Sequence, residues 1–192
     1  MPANTEIKIC SRASVLMGGS AISSFSDGTV ESDVCDAMYE DVARACLTNT
    51  RWRFATNQSV LNRLATAPTG RFDAAYQLPA KTLMLNAITV NDFPIEYDIY
   101  GDKAYCNAVP LDVVIADFIF RAVEANWPPY FTIAVEFSMA ALLAVSVARD
   151  ASLASLMEQK ANVYMMQARR LDSQQQTTRK LNTSRFIAQR RS

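Results

Sequence analysis

A chain of 192 residues, 50% of them apolar, is long enough to bury a core and too apolar to stay disordered. It contains no histidine, which removes the commonest general base and the commonest metal ligand. Formal charge is zero with 19 groups of each sign, yet residues 169–192 hold seven cations against Asp172 alone, leaving twelve cations and eighteen acids in residues 1–168. An acidic body carrying a basic tail suits docking between subunits.

Cys10, Cys35, Cys46 and Cys106 lie too far apart for the close pairs of zinc or redox motifs, and read as free thiols in a reducing compartment. No basic-then-apolar leader opens the chain, which points away from a secretion signal. No cofactor is expected.

Asn4 or Thr5 as cap and Gly18-Gly19 as stop bracket a first helix over residues 5–17, with Ile7, Cys10, Ser11, Ser14 and Val15 near one face. After the turn Asp27-Gly28, a longer helix places Val34, Cys35, Met38, Val42, Ala45 and Cys46 at three- and four-residue spacings. Its other face carries Glu31, Asp33, Asp36, Glu40 and Asp41, mostly in the first half, where carboxylates suit the helix dipole. A charge run of this kind is ordinarily a solvated face; the sharper reading is a surface that meets a basic neighbouring subunit.

Arg51-Trp52-Arg53-Phe54 breaks the helical period. Two aromatics between arginines would suit stacking on nucleic acid, but a junction where the aromatics seal the core and the arginines cover its rim is the more ordinary expectation. Pro68, Gly70 and Asp73 mark a loop, and Tyr76-Gln77-Leu78-Pro79 leads into a strand over residues 82–90. Asn91-Asp92 turns the chain, Ile95, Tyr97 and Ile99 alternate with polar neighbours, and Gly101-Asp102 turns it again into residues 103–109. The order predicts a three-stranded antiparallel meander. Residues 113–120, apolar on both faces and rich in β-branched side chains, predict a further strand.

Asn126-Trp127-Pro128-Pro129 ends this region, because the residue before each proline is pushed out of the helical basin while proline suits a first helical position. Residues 129–149 then read as a helix apolar nearly all round. Their stretch 131–148 reaches the lower limit of a membrane span, but Glu136, two serines and many alanines favour burial among helices over insertion. Asp150 or Ser152 caps a last helix striped with Leu153, Leu156, Met157, Ala161, Tyr164, Ala168 and Leu171. Past Leu171 the stripe is expected to end. In the polar arm that follows, Phe186 and Ile187 read as apolar anchors and Arg179, Lys180, Arg185, Arg190 and Arg191 as complementary charge for a partner.

The expected fold is therefore α+β: a helical bundle from residues 1–50 and 123–171, an inserted antiparallel β-rich region over 51–122, and an extended basic arm over 172–192. Two rival functions draw on other residues. A hydrolase with paired carboxylates would use Glu96 and Asp98, or Asp112 and Asp117, but no nucleophile motif accompanies them and no enzyme is expected. A nucleic-acid-binding regulator would use the tail and the Trp52 segment, against the repulsion of the acidic body.

Four stretches carry a family resemblance. Asp27-Gly28-Thr29 before the acidic helix, Trp52-Arg53-Phe54-Ala55, Tyr76-Gln77-Leu78-Pro79-Ala80, and Trp127-Pro128-Pro129-Tyr130-Phe131 before the alanine-rich helix are similar in order and spacing to tail tubular protein A, the head-to-tail adaptor of short-tailed bacteriophages. The resemblance spans residues 5 to about 170, and its motifs look structural rather than catalytic. It implies a virion protein assembled in the host cytoplasm: a homo-oligomeric ring of subunits, usually twelve, below the portal vertex. In such a ring the carboxyl-terminal extension reaches the portal protein, a tail nozzle protein docks below, and double-stranded DNA passes through the channel without sequence recognition. A channel that lets DNA slide needs a neutral or acidic lining, since dense lysine and arginine would hold phosphates. Glu31, Asp33, Asp36, Glu40 and Asp41 are the candidates for that lining or for a contact between subunits.

Overall fold

A computed structural model describes residues 4–66 and 68–175. Among them are four helices and two antiparallel four-stranded sheets, a mixed α+β architecture as the sequence leads one to expect.

Helix α1, Glu6–Leu16, starts where the Thr5 hydroxyl accepts the Lys8 N–H, and ends as Gly18 takes a φ of 88° that a side chain would strain. Helix α2, Val30–Thr48, opens on a reciprocal box in which Thr29 and Ser32 each accept the other's backbone N–H. Both helices bury a face displaced from the expected one. Helix α1 buries Ile9, Cys10, Ala13 and Ser14 and leaves Val15 56% exposed; α2 buries Cys35, Tyr39, Ala43, Cys46 and Leu47 and leaves Met38 and Ala45 outside. Adjacent stripes overlap on a helix of 3.6 residues per turn, and on α2 the inward stripe is the one that carries the bulkier Tyr39 and Leu47.

The sheets differ from the expected meander. Strands β1 (Thr56–Val60), β8 (Val114–Phe120), β4 (Thr82–Val90) and β5 (Phe93–Pro94) form one sheet in that order. Strands β2 (Asn62–Arg63), β3 (Ala74–Gln77), β7 (Lys103–Cys106) and β6 (Tyr97–Tyr100) form the other. The three strands expected to neighbour one another are therefore divided: β4 turns back only into the two residues of β5, and the chain crosses to the second sheet before β6 pairs with β7. Pro94 has no N–H for a longer edge ladder, and two stacked sheets close a core that one cannot. That core joins Leu85, Ile88 and Phe118 of the first sheet to Tyr76, Ala104 and Cys106 of the second.

Helix α3, Pro129–Ser146, begins with proline at its first position and buries Phe131, Val135, Met139, Ala140, Leu143 and Ala144. Length and composition alone would let it cross a membrane, but more than half of it is buried here, with α1, α2 and α4 packed against it. Helix α4, Ala151–Gln174, is capped by Asp150, whose carboxylate accepts the N–H groups of Ser152 and Leu153. It approaches α3 closely because Ala154, Ala161 and Ala168 recur every second turn of its buried face, while Leu156 and Leu171 of the expected stripe stay outside. Nor does the helix end at Leu171: it continues to Gln174, because Asp172 is buried and accepts the Arg53 N–H at 3.1 Å and the Tyr130 hydroxyl at 3.0 Å.

Trp52, Phe54, Trp127 and Phe131 close this larger core, with Phe131 at 4.9–5.0 Å between ring centroids from each of the other three. Leu143, in the last turn of α3, is fully buried in the larger core. Leu143→Ala should cost about 2–5 kcal/mol, read as a lower urea midpoint with unchanged slope; a loss under about 0.5 kcal/mol would contradict the central place given to α3.

Candidate interaction surfaces

Where β8 runs out, Arg121 ties the sheets to the helices. Its side chain, 13% exposed, donates to Glu40 of α2 at 2.9 and 3.0 Å and to Glu124 at 2.5 Å, and its guanidinium stands 5.4 Å from the centre of the Trp127 ring. Tyr39 donates its hydroxyl to the same Glu124 oxygen at 3.1 Å. Burial and the adjacent Glu124 carboxylate push the Tyr39 phenol well up. Burial works against the charge on Glu40, but the guanidinium groups of Arg121 and Arg44 outweigh it and hold that carboxyl low.

Other buried acids are also engaged. Asp117 in β8 accepts from Arg51 and, at 3.3 and 3.4 Å, from Gln58 and Asn86. Glu136 of α3 meets Arg12 of α1 at 2.9 Å. Burial raises the Glu136 carboxyl above its ordinary value, because Arg12 is half in water and its charge is screened. These groups are structural ties between elements, and among the described residues no cluster of three or more histidine, cysteine or acidic side chains could hold a metal.

The two carboxylate pairs considered from the sequence lie in different settings. Glu96 and Asp98 line an open cleft of about 480 Å³ with Arg71, Phe72, Tyr97 and Asn107, and Asp98 is paired with Arg71. Asp112 accepts the Val109 N–H at 2.9 Å within its own loop, while Asp117 is buried in β8, so that pair shares no cleft. Trp52 is fully buried with its indole N–H on the Cys46 carbonyl at 2.9 Å, which rules out base stacking on it; Arg51 covers the rim as expected.

The acidic run of α2 is split by the fold. Glu40 belongs to the Arg121 joint, Glu31 is half-buried, and Asp33, Asp36 and Asp41 are exposed with carboxylates that make no hydrogen bond or ion pair among the described residues. The expected arm residues Arg179, Lys180, Arg185, Phe186, Ile187, Arg190 and Arg191 lie outside the described residues. Two apolar features complete the surface. Val60, Phe93, Val109, Leu111 and Val113 are exposed at the end of the first sheet away from Arg121, with Leu111 95% exposed. A crevice of about 260 Å³ opens between α2, α3 and α4, lined by Val42, Cys46, Leu142, Ala161 and Met165.

Sequence reasoning did not find Arg121, Glu124, Tyr39 or Asp172. The one available signal was the opposite charges of Arg121 and Glu124 three residues apart directly after an apolar strand. No known family model matches the chain, and no curated protein matches it.

Arg121→Met would leave Glu124 buried without its cation, and should cost about 3 kcal/mol in urea unfolding, the low end for a broken buried pair because Glu40 is partly solvated. A change under about 1 kcal/mol would contradict the joint. Glu136 supplies a pH test. Its folded carboxyl binds a proton more tightly than the ordinary value of 4.5 reflects, so its contribution is present below that pH and lost as pH rises. Between pH 4 and pH 7 the stability of wild type relative to Glu136→Gln should therefore shift in favour of the variant; a shift the other way would show the Arg12 pair to dominate.

Proposed function

We propose that this chain is a structural virion protein, the head-to-tail adaptor of a short-tailed bacteriophage, of the tail tubular protein A type. In this reading α1 to α4 form a bundle and the strands between residues 51 and 122 an insertion within it. Copies close into a ring, dodecameric by analogy, that joins the portal above to the tail nozzle below and forms part of the channel through which DNA is ejected. The protein is not an enzyme in this reading; it needs no cofactor and does not insert in a membrane.

One observation carries the proposal: the four stretches of the resemblance are the joints of the fold. Asp27 accepts the backbone N–H groups of Ser23 and Ser24 and Thr29 caps α2. Trp52, Phe54, Trp127 and Phe131 meet in a single ring cluster, and Tyr76 fills the core between the sheets. Residues that set how elements meet are what a shared architecture would keep in order. Asp33, Asp36 and Asp41 add an exposed acidic surface suited either to a lining on which DNA does not stick or to a contact with a basic neighbouring subunit. The basic arm, with Arg179, Lys180, Arg185, Arg190 and Arg191 around Phe186 and Ile187, is the segment assigned to the portal.

Deleting residues 179–192 should abolish co-sedimentation with the cognate portal while leaving the circular dichroism and urea midpoint of the body unchanged. Full retention of portal binding by the shortened chain would contradict the assignment. Salt-sensitive capture of short DNA duplexes by the monomer, lost with the same deletion, would favour a nucleic-acid regulator instead.

A further inference from the structure

We infer that the outer face of α4 docks on the outer face of α2 of a second copy, in a head-to-tail contact. The two faces are opposite in charge and each is partly apolar. On α4, Leu156, Val163, Met166 and Leu171 are all exposed, and at 3.6 residues per turn they fall within less than half of the helix circumference. The charged side chains in that sector are Lys160 and Arg170, with no acid among them. On α2 the outward sector holds Val30, Ala37 and Met38 with Asp33 and Asp41; Arg44, its one cation, is taken up by Glu40.

The two surfaces cannot meet within one chain. Helices α2 and α4 both turn their inner faces to α3, and their outer faces point elsewhere. Arg170 forms no ion pair among the described residues, Lys160 rests over the Phe137 ring at 5.8 Å, and Asp33 and Asp41 are without cations. A chain that displays both halves of a complementary contact on separate faces is its own partner, and a contact between different patches propagates from copy to copy. The closure of that series into a ring rests on the adaptor reading; the contact itself rests on the charges and apolar side chains of α2 and α4.

The test uses the full chain and its assembly measured by sedimentation velocity over a concentration series. Asp33→Lys/Asp41→Lys and Lys160→Glu/Arg170→Glu should each raise the concentration needed for assembly by about tenfold or more, as like charges are brought together. Each variant alone then carries two faces of one sign. Mixed together they should co-assemble, and a chain carrying all four substitutions should assemble as wild type does. Urea midpoints verify that the variants fold, and the milder Lys160→Gln/Arg170→Gln should weaken assembly less than the charge reversal. Unchanged assembly of both reversed variants would overturn this contact while leaving a ring built on other faces open to the adaptor reading. Failure of the mixture and of the fourfold variant to assemble would overturn it as well. A wild-type chain that stays monomeric at every concentration, with and without portal, would overturn both the contact and the adaptor reading.

Discussion

Helix α3 has no polar face to give to water, and most of the architecture follows from covering it. Helices α1, α2 and α4 lie against it, and buried alanines on both α3 and α4 leave room for the two backbones to come close. The single acid on its buried side, Glu136, is kept by the arginine that α1 brings to it. Trp127 and Phe131 at its start join Trp52 and Phe54, so the segment leaving α2 and the segment entering α3 are fixed by the same ring cluster.

The helices and the sheets have separate cores, and β8 belongs to both. Val114, Ala116 and Phe118 face the core between the sheets, Ile119 faces the helices, and Phe120 touches each. Arg121 follows directly, so the guanidinium that binds Glu40, Glu124 and the Trp127 ring stands where the two cores meet. Buried charge is tolerable here because each carboxylate has a cation or a hydroxyl on it, and removing one member leaves the others stranded. The end of α4 is fixed by hydrogen bonds instead, with Asp172 accepting the backbone N–H of Arg53 and the Tyr130 hydroxyl.

Local signals made the elements legible. The cap expected at Asn4 or Thr5, the turn Asp27-Gly28 ahead of α2, the cap expected at Asp150 or Ser152, the Trp-Pro-Pro entry to α3, and the β-branched run of β8 all mark elements that the fold contains. Which neighbouring stripe faces inward on α1 and α2 was not legible, because adjacent stripes overlap, at Cys10 and Ser14 on α1 and at Cys35 and Cys46 on α2, and the competing Ile7 and Ile9 are equally apolar. Nor was strand pairing: β4 and β6 are close in sequence, yet they lie in different sheets, and Leu85 of β4 and Tyr97 of β6 contribute to the one core between them. The Arg121 joint depends on partners 81 residues apart, a pairing that periodicity does not encode. Of the acidic run, composition alone could not separate Glu40, which holds the fold, from Asp33 and Asp41, which remain available to a neighbour.

What remains on the described surface after the fold has taken its share is a set of opposite charges on α2 and α4 and an apolar sheet tip around Leu111. Opposite charges on separate helices suit a subunit that joins other proteins, and the proposal is that this chain does so as a ring around DNA. Electron microscopy of the full chain bound to portal tests that most directly. The account predicts closed rings, seen end-on with uniform symmetry and a central channel wide enough for duplex DNA; monomers scattered on the portal, or open filaments without a channel, would contradict it.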